Sequence, residues 1–134
     1  MSLTAPYTVE FPFERTVGPK VGTFLAGLRD ARLFGAVTPS GVRCPPLEFD
    51  PVTGAATGEL VELEPVGSVV TWTRVPPHEL AWALIAIDGT VGTFFHLVDA
   101  RELRVGSRVR ARWRPSRVGS ITDIECFEAV GVAP

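Results

Sequence analysis

Arg108-Val109-Arg110-Ala111-Arg112-Trp113-Arg114 alternates a guanidinium with an apolar side chain at every step. A period of two marks a β-strand: all four arginines fall on one face and Val109, Ala111 and Trp113 on the other. Four more stretches read as strands. Ser68 to Val75 is β-branched and aromatic and stops at Pro76-Pro77. Ala81 to Ile87 runs into Asp88-Gly89, a hairpin signal, and Val91 to Leu97 follows. Thr122 to Val130 is the last, and Asp99 to Gly106, between the third and fourth, suits a short helical turn. Five short strands punctuated by turns predict a mainly β fold, a five-stranded Greek-key barrel of the OB type.

Upstream the pattern changes. Residues 1–17 read as an extended segment with Pro6 and Pro12 among Tyr7, Phe11 and Phe13, suited to packing on the barrel or to docking elsewhere. Gly18-Pro19 opens a helix. Val21, Phe24, Leu25 and Leu28 fall at i, i+3, i+4 and i+7, one apolar face of an amphipathic helix of about four turns, with Gly35 as its stop. Residues 36–58 are a chain of turns with room for a short hairpin: Thr38-Pro39-Ser40-Gly41, Pro45-Pro46 and Asp50-Pro51-Val52-Thr53-Gly54. The expected organisation is an extension and helix over 1–35, a turn region over 36–60 and the barrel over 61–134.

The 134 residues are 46% hydrophobic and 21% charged, which suits one globular domain and excludes a disordered chain. The longest apolar run, Leu80 to Ile87, has eight residues, against about 18 for a membrane helix. No basic region followed by an apolar stretch opens the chain, and two cysteines build no disulfide framework, so a soluble cytoplasmic protein is expected. The net charge of −2 is unevenly spread: residues 101–117 hold seven arginines against Glu102, a local +6, while the remaining six basic and fourteen acidic residues give −8.

Enzyme signatures are missing. There is no G-x-S-x-G, phosphate-binding loop or G-x-G-x-x-G. His78 and His96 have no partner at metal spacing. Cys44 and Cys126 have no nearby base to make a nucleophile of either, and Cys126, between Glu125 and Phe127, reads as a small core residue. A catalytic site within this chain is not expected. Arg108, Arg110, Arg112 and Arg114, about 7 Å apart on one face, call for something acidic opposite. One reading is a solvated face paired with acids such as Asp123 and Glu125. The other is a site for a phosphate or an acidic partner. For single-stranded nucleic acid, aromatic platforms should be interleaved with the charge, and Trp113 faces the other way.

An amphipathic helix, a turn-rich insert with Pro45-Pro46 and then five strands, over roughly residues 18–130, resembles the domain of unknown function 35 family, whose members join a zinc ribbon to an OB-fold. Phe24-Leu25-Ala26-Gly27-Leu28-Arg29-Asp30-Ala31-Arg32-Leu33 is similar to that family's F-x-x-G-L-R-x-G-R-L, and Leu103-Arg104-Val105-Gly106-Ser107-Arg108-Val109 to its L-x-V-G-x-x-V. The family's two Cys-x-x-Cys knuckles align with Val37-Thr38-Pro39-Ser40-Gly41 and Asp50-Pro51-Val52-Thr53-Gly54, so its ligand positions read Val37, Ser40, Asp50 and Thr53. Valine has no donor atom, and no zinc is expected. A cysteine-free actinobacterial subgroup carries a similar P-P-x-x-x-D-P-x-T-G, here Pro45 to Gly54, and side-chain to backbone hydrogen bonds of Asp50 and Thr53 are expected to replace the metal. The resemblance implies a non-catalytic accessory subunit of a thiolase-like or lipid-transfer-protein-like acyl-CoA enzyme of lipid or steroid breakdown, helping to bind the partner and the CoA thioester. It would give the arginine stripe an anion in the CoA phosphates or on the partner. The alternative is a nucleic-acid-binding OB-fold protein, which net charge −2 disfavours.

Overall fold

The computed structural model describes residues 3–12, 14, 16–77 and 79–130; His78, Phe13 and the last four residues lie outside that set. Residues 3–12 run without helix or strand, and Tyr7 and Phe11 stand 87% and 77% exposed. The chain then forms helix α1 (Pro19–Arg29) and strands β1 (Leu33–Thr38), β2 (Gly41–Arg43), β3 (Leu60–Leu63), β4 (Val66–Arg74), β5 (Ala81–Ile87), β6 (Phe94–Asp99), β7 (Arg108–Trp113) and β8 (Ile124–Ala129), with a 3-10 turn at Ile121–Asp123. Strands β4-β5-β6-β8-β7 close a barrel, and β2-β1-β3 make a small antiparallel sheet beside it.

The barrel has OB topology. β4, β5 and β6 form a meander, β7 returns to pair antiparallel with the start of β4, and β8 fits between β7 and β6. Gly67 makes the β4–β5 approach possible: a Cβ there would lie 2.4 Å from the Ala86 carbonyl oxygen. β4 carries a bulge between Val69 and Thr71, which bends the strand so that it serves both β5 and β7. The closing seam is narrow. β6 and β8 run parallel and register only at Val98↔Phe127 and Asp99↔Glu128.

Arg112 reinforces that seam. From β7 it donates through Nε to Glu125 at 2.8 Å and through Nη1 to Glu128 at 3.1 Å, both on β8, and to Asp99 of β6 at 3.2 Å. One side chain thus ties three adjacent strands, and the Glu125 and Glu128 carboxylates hold its proton more tightly than an isolated guanidinium would.

Inside the barrel the period of two expected for β7 holds, with Val109 and Ala111 buried and Arg108 and Arg110 exposed. Phe94, Phe127, Ile85, Val69, Val98 and Ile124 fill the interior, and Phe24, Leu28, Leu33 and Cys44 continue the same cluster into the helix and small sheet. Each fully buried Leu, Ile or Phe contributes about 1.5–3 kcal/mol by leaving water. α1 therefore packs on its own barrel. Arg117 Nε donates to the Arg29 carbonyl at 2.9 Å and anchors the helix end to the β7–β8 connection.

Four local expectations need correction. α1 has eleven residues and ends at Arg29, because Ala31 turns into the left-handed region (φ 57°). Gly35 is no helix stop: it lies inside β1, where a Cβ would meet the Arg43 carbonyl oxygen at 2.9 Å. β6 begins at Phe94, three residues late, because the Val91 amide is taken by the Val42 carbonyl at 2.8 Å. The connection from β6 to β7 is a turn closed by Arg104 and Ser107, not a helical turn. The small sheet spans Leu33–Leu63 and so straddles both divisions read from the sequence, at 35/36 and 60/61.

Removing the seam clamp tests this account. Arg112→Met is expected to destabilise the chain by about 1–2 kcal/mol, a networked partly exposed cation standing above an isolated surface pair, and to lower the melting temperature by several degrees. The deficit should narrow at high salt. Thermal unfolding at two salt concentrations reads both effects, and an unchanged melting temperature would contradict the clamp.

Candidate functional site

The four arginines of the stripe do share one face, and most of their charge is already answered. Arg108 forms a fork on Asp88, with Nη1 to Oδ1 at 2.8 Å and Nη2 to Oδ2 at 2.5 Å, plus a bond to Ser68. The Arg108 hydrogen bonds hold the Asp88 carboxyl below its ordinary range. Arg112 is held by three carboxylates. Among the described residues Arg110 faces only Glu64, at 3.8 Å. Arg114 spends Nε on the Thr122 carbonyl at 2.6 Å; among the described residues its two terminal nitrogens have no partner. Of the two acids the sequence offered, Glu125 does pair with the stripe. Asp123 does not: it is buried and accepts from the amides of Val118, Gly119 and Ser120 at 3.0, 2.7 and 3.0 Å. Burial pushes its pKa up, but those amides outweigh burial and hold it low. With Ser120 as N-cap it fixes the β7–β8 connection.

That connection walls an apolar cleft of the barrel surface. On β5 the alternation sends Ala81, Ala83, Ile85 and Ile87 inward, leaving Trp82 and Leu84 outside; on β6 it sends Phe94, His96 and Val98 inward, leaving Phe95 and Leu97 outside. Trp82 registers with Leu97 and Leu84 with Phe95, so Trp82 and Phe95 are diagonal neighbours within reach of each other. Their rings stack at 5.0 Å with 13° between planes. Trp82 is 37% and Phe95 59% exposed. Beside the stack lies a cleft of about 290 Å³, lined further by His96, Arg114, Ile121, Thr122, Ile124 and Glu125. The sequence reading missed this aromatic face. Its signal was the small apolar alternation Ala81, Ala83, Ile85, which obliges Trp82 to point outward.

His96 and the two cysteines are buried in the interior. His96 Nδ1 accepts from the Leu97 amide at 2.9 Å, which puts the ring proton on Nε2, 3.3 Å from the Ile121 carbonyl. Burial between Phe94 and Phe127 lowers its pKa and keeps it neutral. Its bond to Ile121 holds the 3-10 turn against β6. Burial pushes the Cys44 thiol up to about 12 and raises that of Cys126, which favours the neutral thiol in both.

A third constellation sits at the knuckle positions. Asp50 is fully buried and takes the Val52 amide at 3.0 Å, the Thr53 hydroxyl at 3.2 Å and the Ser40 hydroxyl at 3.2 Å; Arg43 Nε stands 3.9 Å away. The Val52 amide is the largest cause holding its carboxyl below the ordinary range; burial opposes, and Thr53, Ser40 and Arg43 add to the lowering. Three of the four positions thus converge on one carboxylate. The fourth, Val37, is joined to Gly58 and Glu59 through its backbone. One carboxylate, two neutral hydroxyls and a valine do not fit a zinc ion, which takes four sulfur, nitrogen or carboxylate ligands. Among the described residues no three His, Cys, Asp or Glu side chains converge as a metal site, and no helix is long and apolar enough to cross a membrane.

No protein-family model and no curated protein matches the chain. Solved structures do. A protein of unknown function from the DUF35 family of Sulfolobus solfataricus superposes with a TM-score of 0.65 at 14% identity, over 84% of this chain and 87% of that one. An Ltp2-ChsH2(DUF35) aldolase superposes with a TM-score of 0.62 at 15% identity, over 87% of this chain and 98% of its matched chain. The helix, small sheet and barrel together make up the fold of DUF35 proteins, and this chain has it.

The Asp50 cluster generates a pH prediction. Its folded pKa lies below its unfolded one, so its contribution is whole above the unfolded value, roughly 4, and is lost as the pH falls through the folded value. Asp88 and Asp123 act in the same sense. The melting temperature of the native chain should therefore drop below about pH 4. Asp50→Asn should melt lower at neutral pH and lose less on acidification, and parallel curves for the two chains would contradict the assignment.

Proposed function

We propose that this chain is a non-catalytic accessory subunit of a thiolase-like or lipid-transfer-protein-like acyl-CoA enzyme, in which it helps to bind the partner and the CoA thioester. The observation that carries the reading is the near end-to-end likeness to the DUF35 component of an Ltp2 aldolase, 87% of this chain on 98% of the other. Three features of the chain support it. Its His96 and both cysteines are buried. Its barrel presents an exposed aromatic pair beside a cleft. Tyr7 and Phe11, in the segment before the helix, are exposed to solvent. Within the stripe, Arg110 and Arg114 are the guanidinium groups left to meet a phosphate or an acidic partner, while Arg108 and Arg112 serve the barrel. The module works without zinc, the Asp50 cluster holding the turns that a metal holds in a ribbon.

A second reading, a nucleic-acid-binding OB-fold, has one observation in its favour. The aromatic platform that the stripe lacks is supplied by Trp82 and Phe95, near Arg114, on the barrel face that OB-folds use for oligonucleotides.

Affinity purification of the full chain from native lysate at moderate salt, in the presence of a chelator, tests the proposal. The expected result is stoichiometric recovery of a thiolase-like or lipid-transfer-protein-like enzyme, identified by mass spectrometry, with the complex indifferent to the chelator. Recovery of nucleic acid without such an enzyme would overturn it.

A further inference from the structure

We propose that the cleft between the Trp82–Phe95 stack and the β7–β8 connection is a subsite for a heterocyclic base carried next to a phosphate. The inference rests on the CoA-thioester reading for the source of that base and adds where it lies.

Two flat rings left in water on a sheet face are a platform, because every base has a π-face and stacks on them whatever its edge. Phe95, the more exposed of the pair, offers the open side. The adjoining cleft, about 290 Å³, falls at the bottom of the range for small-molecule sites, so it accommodates one ring system and not a whole cofactor or a long acyl chain. Its lining is apolar at Ile121 and Ile124 and polar at Thr122 and Glu125, residue types suited to the amino and ring nitrogens of a base.

The cation is placed for the phosphate. Arg114 is pinned by Nε to the Thr122 carbonyl, which leaves its terminal nitrogens to make the two-pronged contact that guanidinium makes with phosphate. Arg117 donates through Nη1 to the Arg114 carbonyl at 2.7 Å and fixes the backbone that carries Arg114. The carboxylate of Glu125 is offset by Arg112 at 2.8 Å, which reduces its repulsion of an anion. His96 and Asp123 fix this wall from behind through Ile121 and the 118–120 amides.

Isothermal titration of the full chain with ADP as the probe tests the subsite, with melting curves confirming that each variant folds. Saturable one-to-one binding is expected. Phe95→Ala should weaken it about tenfold or more, the range set by base–aromatic stacking, and Phe95→Trp should retain it. Arg114→Gln should weaken ADP and leave adenosine unchanged. No saturable binding of ADP, or native affinity retained in both Phe95→Ala and Arg114→Gln, overturns the subsite. Coenzyme A and a short single-stranded oligonucleotide then separate the sources. Tighter binding of coenzyme A supports the cofactor, whereas a steeply salt-dependent preference for the oligonucleotide supports the subsite and moves its ligand to nucleic acid. ADP binding without an acyl-CoA enzyme in the lysate would remove the accessory reading and keep the subsite; the reverse would remove the subsite and keep the accessory reading.

Discussion

The barrel of this protein is closed by two residue pairs, Val98↔Phe127 and Asp99↔Glu128, and by Arg112 lying across them. The cleft on the barrel surface depends on how that seam is held. A parallel pair of two registers is a weak closure alone, and beyond it β6 and β8 separate. The gap is filled by the 3-10 turn at Ile121–Asp123, which His96 and Asp123 hold in place. The cleft beside Trp82 and Phe95 is thus a by-product of the seam's shortness: where strands part and a connection covers them, a concave surface forms.

The arginine-rich segment has two jobs that composition alone could not divide. Arg108 and Arg112 meet carboxylates from β8 and from the ends of β5 and β6, and they serve closure. Arg114 and Arg117, past the end of β7, bond backbone carbonyls and lock the β7–β8 connection. The alternation from Arg108 to Arg114 is uniform in sequence but not in role, because the neighbours supplied by the fold change along it. A charge of +6 over seventeen residues is therefore far smaller as a field than as a sum.

Much of the fold was legible. β7 was evident from strict alternation, the other barrel strands from β-branched and aromatic runs between turn residues, and the buried face of α1 from Phe24 and Leu28. These are local periodicities. The parts that stayed hidden are set by long-range pairing. Gly35 reads as a helix stop until β1 is laid against Arg43, and Val91 reads as the start of β6 until its amide is claimed by Val42. Asp50 reads as a turn residue, which it is, yet its burial follows only from Ser40 and Arg43 arriving from ten and seven residues upstream. The aromatic face needed the register of β5 on β6, since only the diagonal offset brings Trp82 against Phe95.

At the knuckle positions a hydrogen-bonded carboxylate does the joining, which makes the small sheet a matter of protonation and packing instead of metal supply. The proposed base subsite lies elsewhere, on β5, β6 and the β7–β8 connection. The most direct test of that placement is nuclear magnetic resonance mapping of the full chain during titration with coenzyme A. The account predicts shifts at the Trp82 indole N–H and at the amides of Phe95, Leu97, Arg114 and Thr122. Shifts confined to Arg108 and Arg110, or to the turns around Asp50, would contradict it.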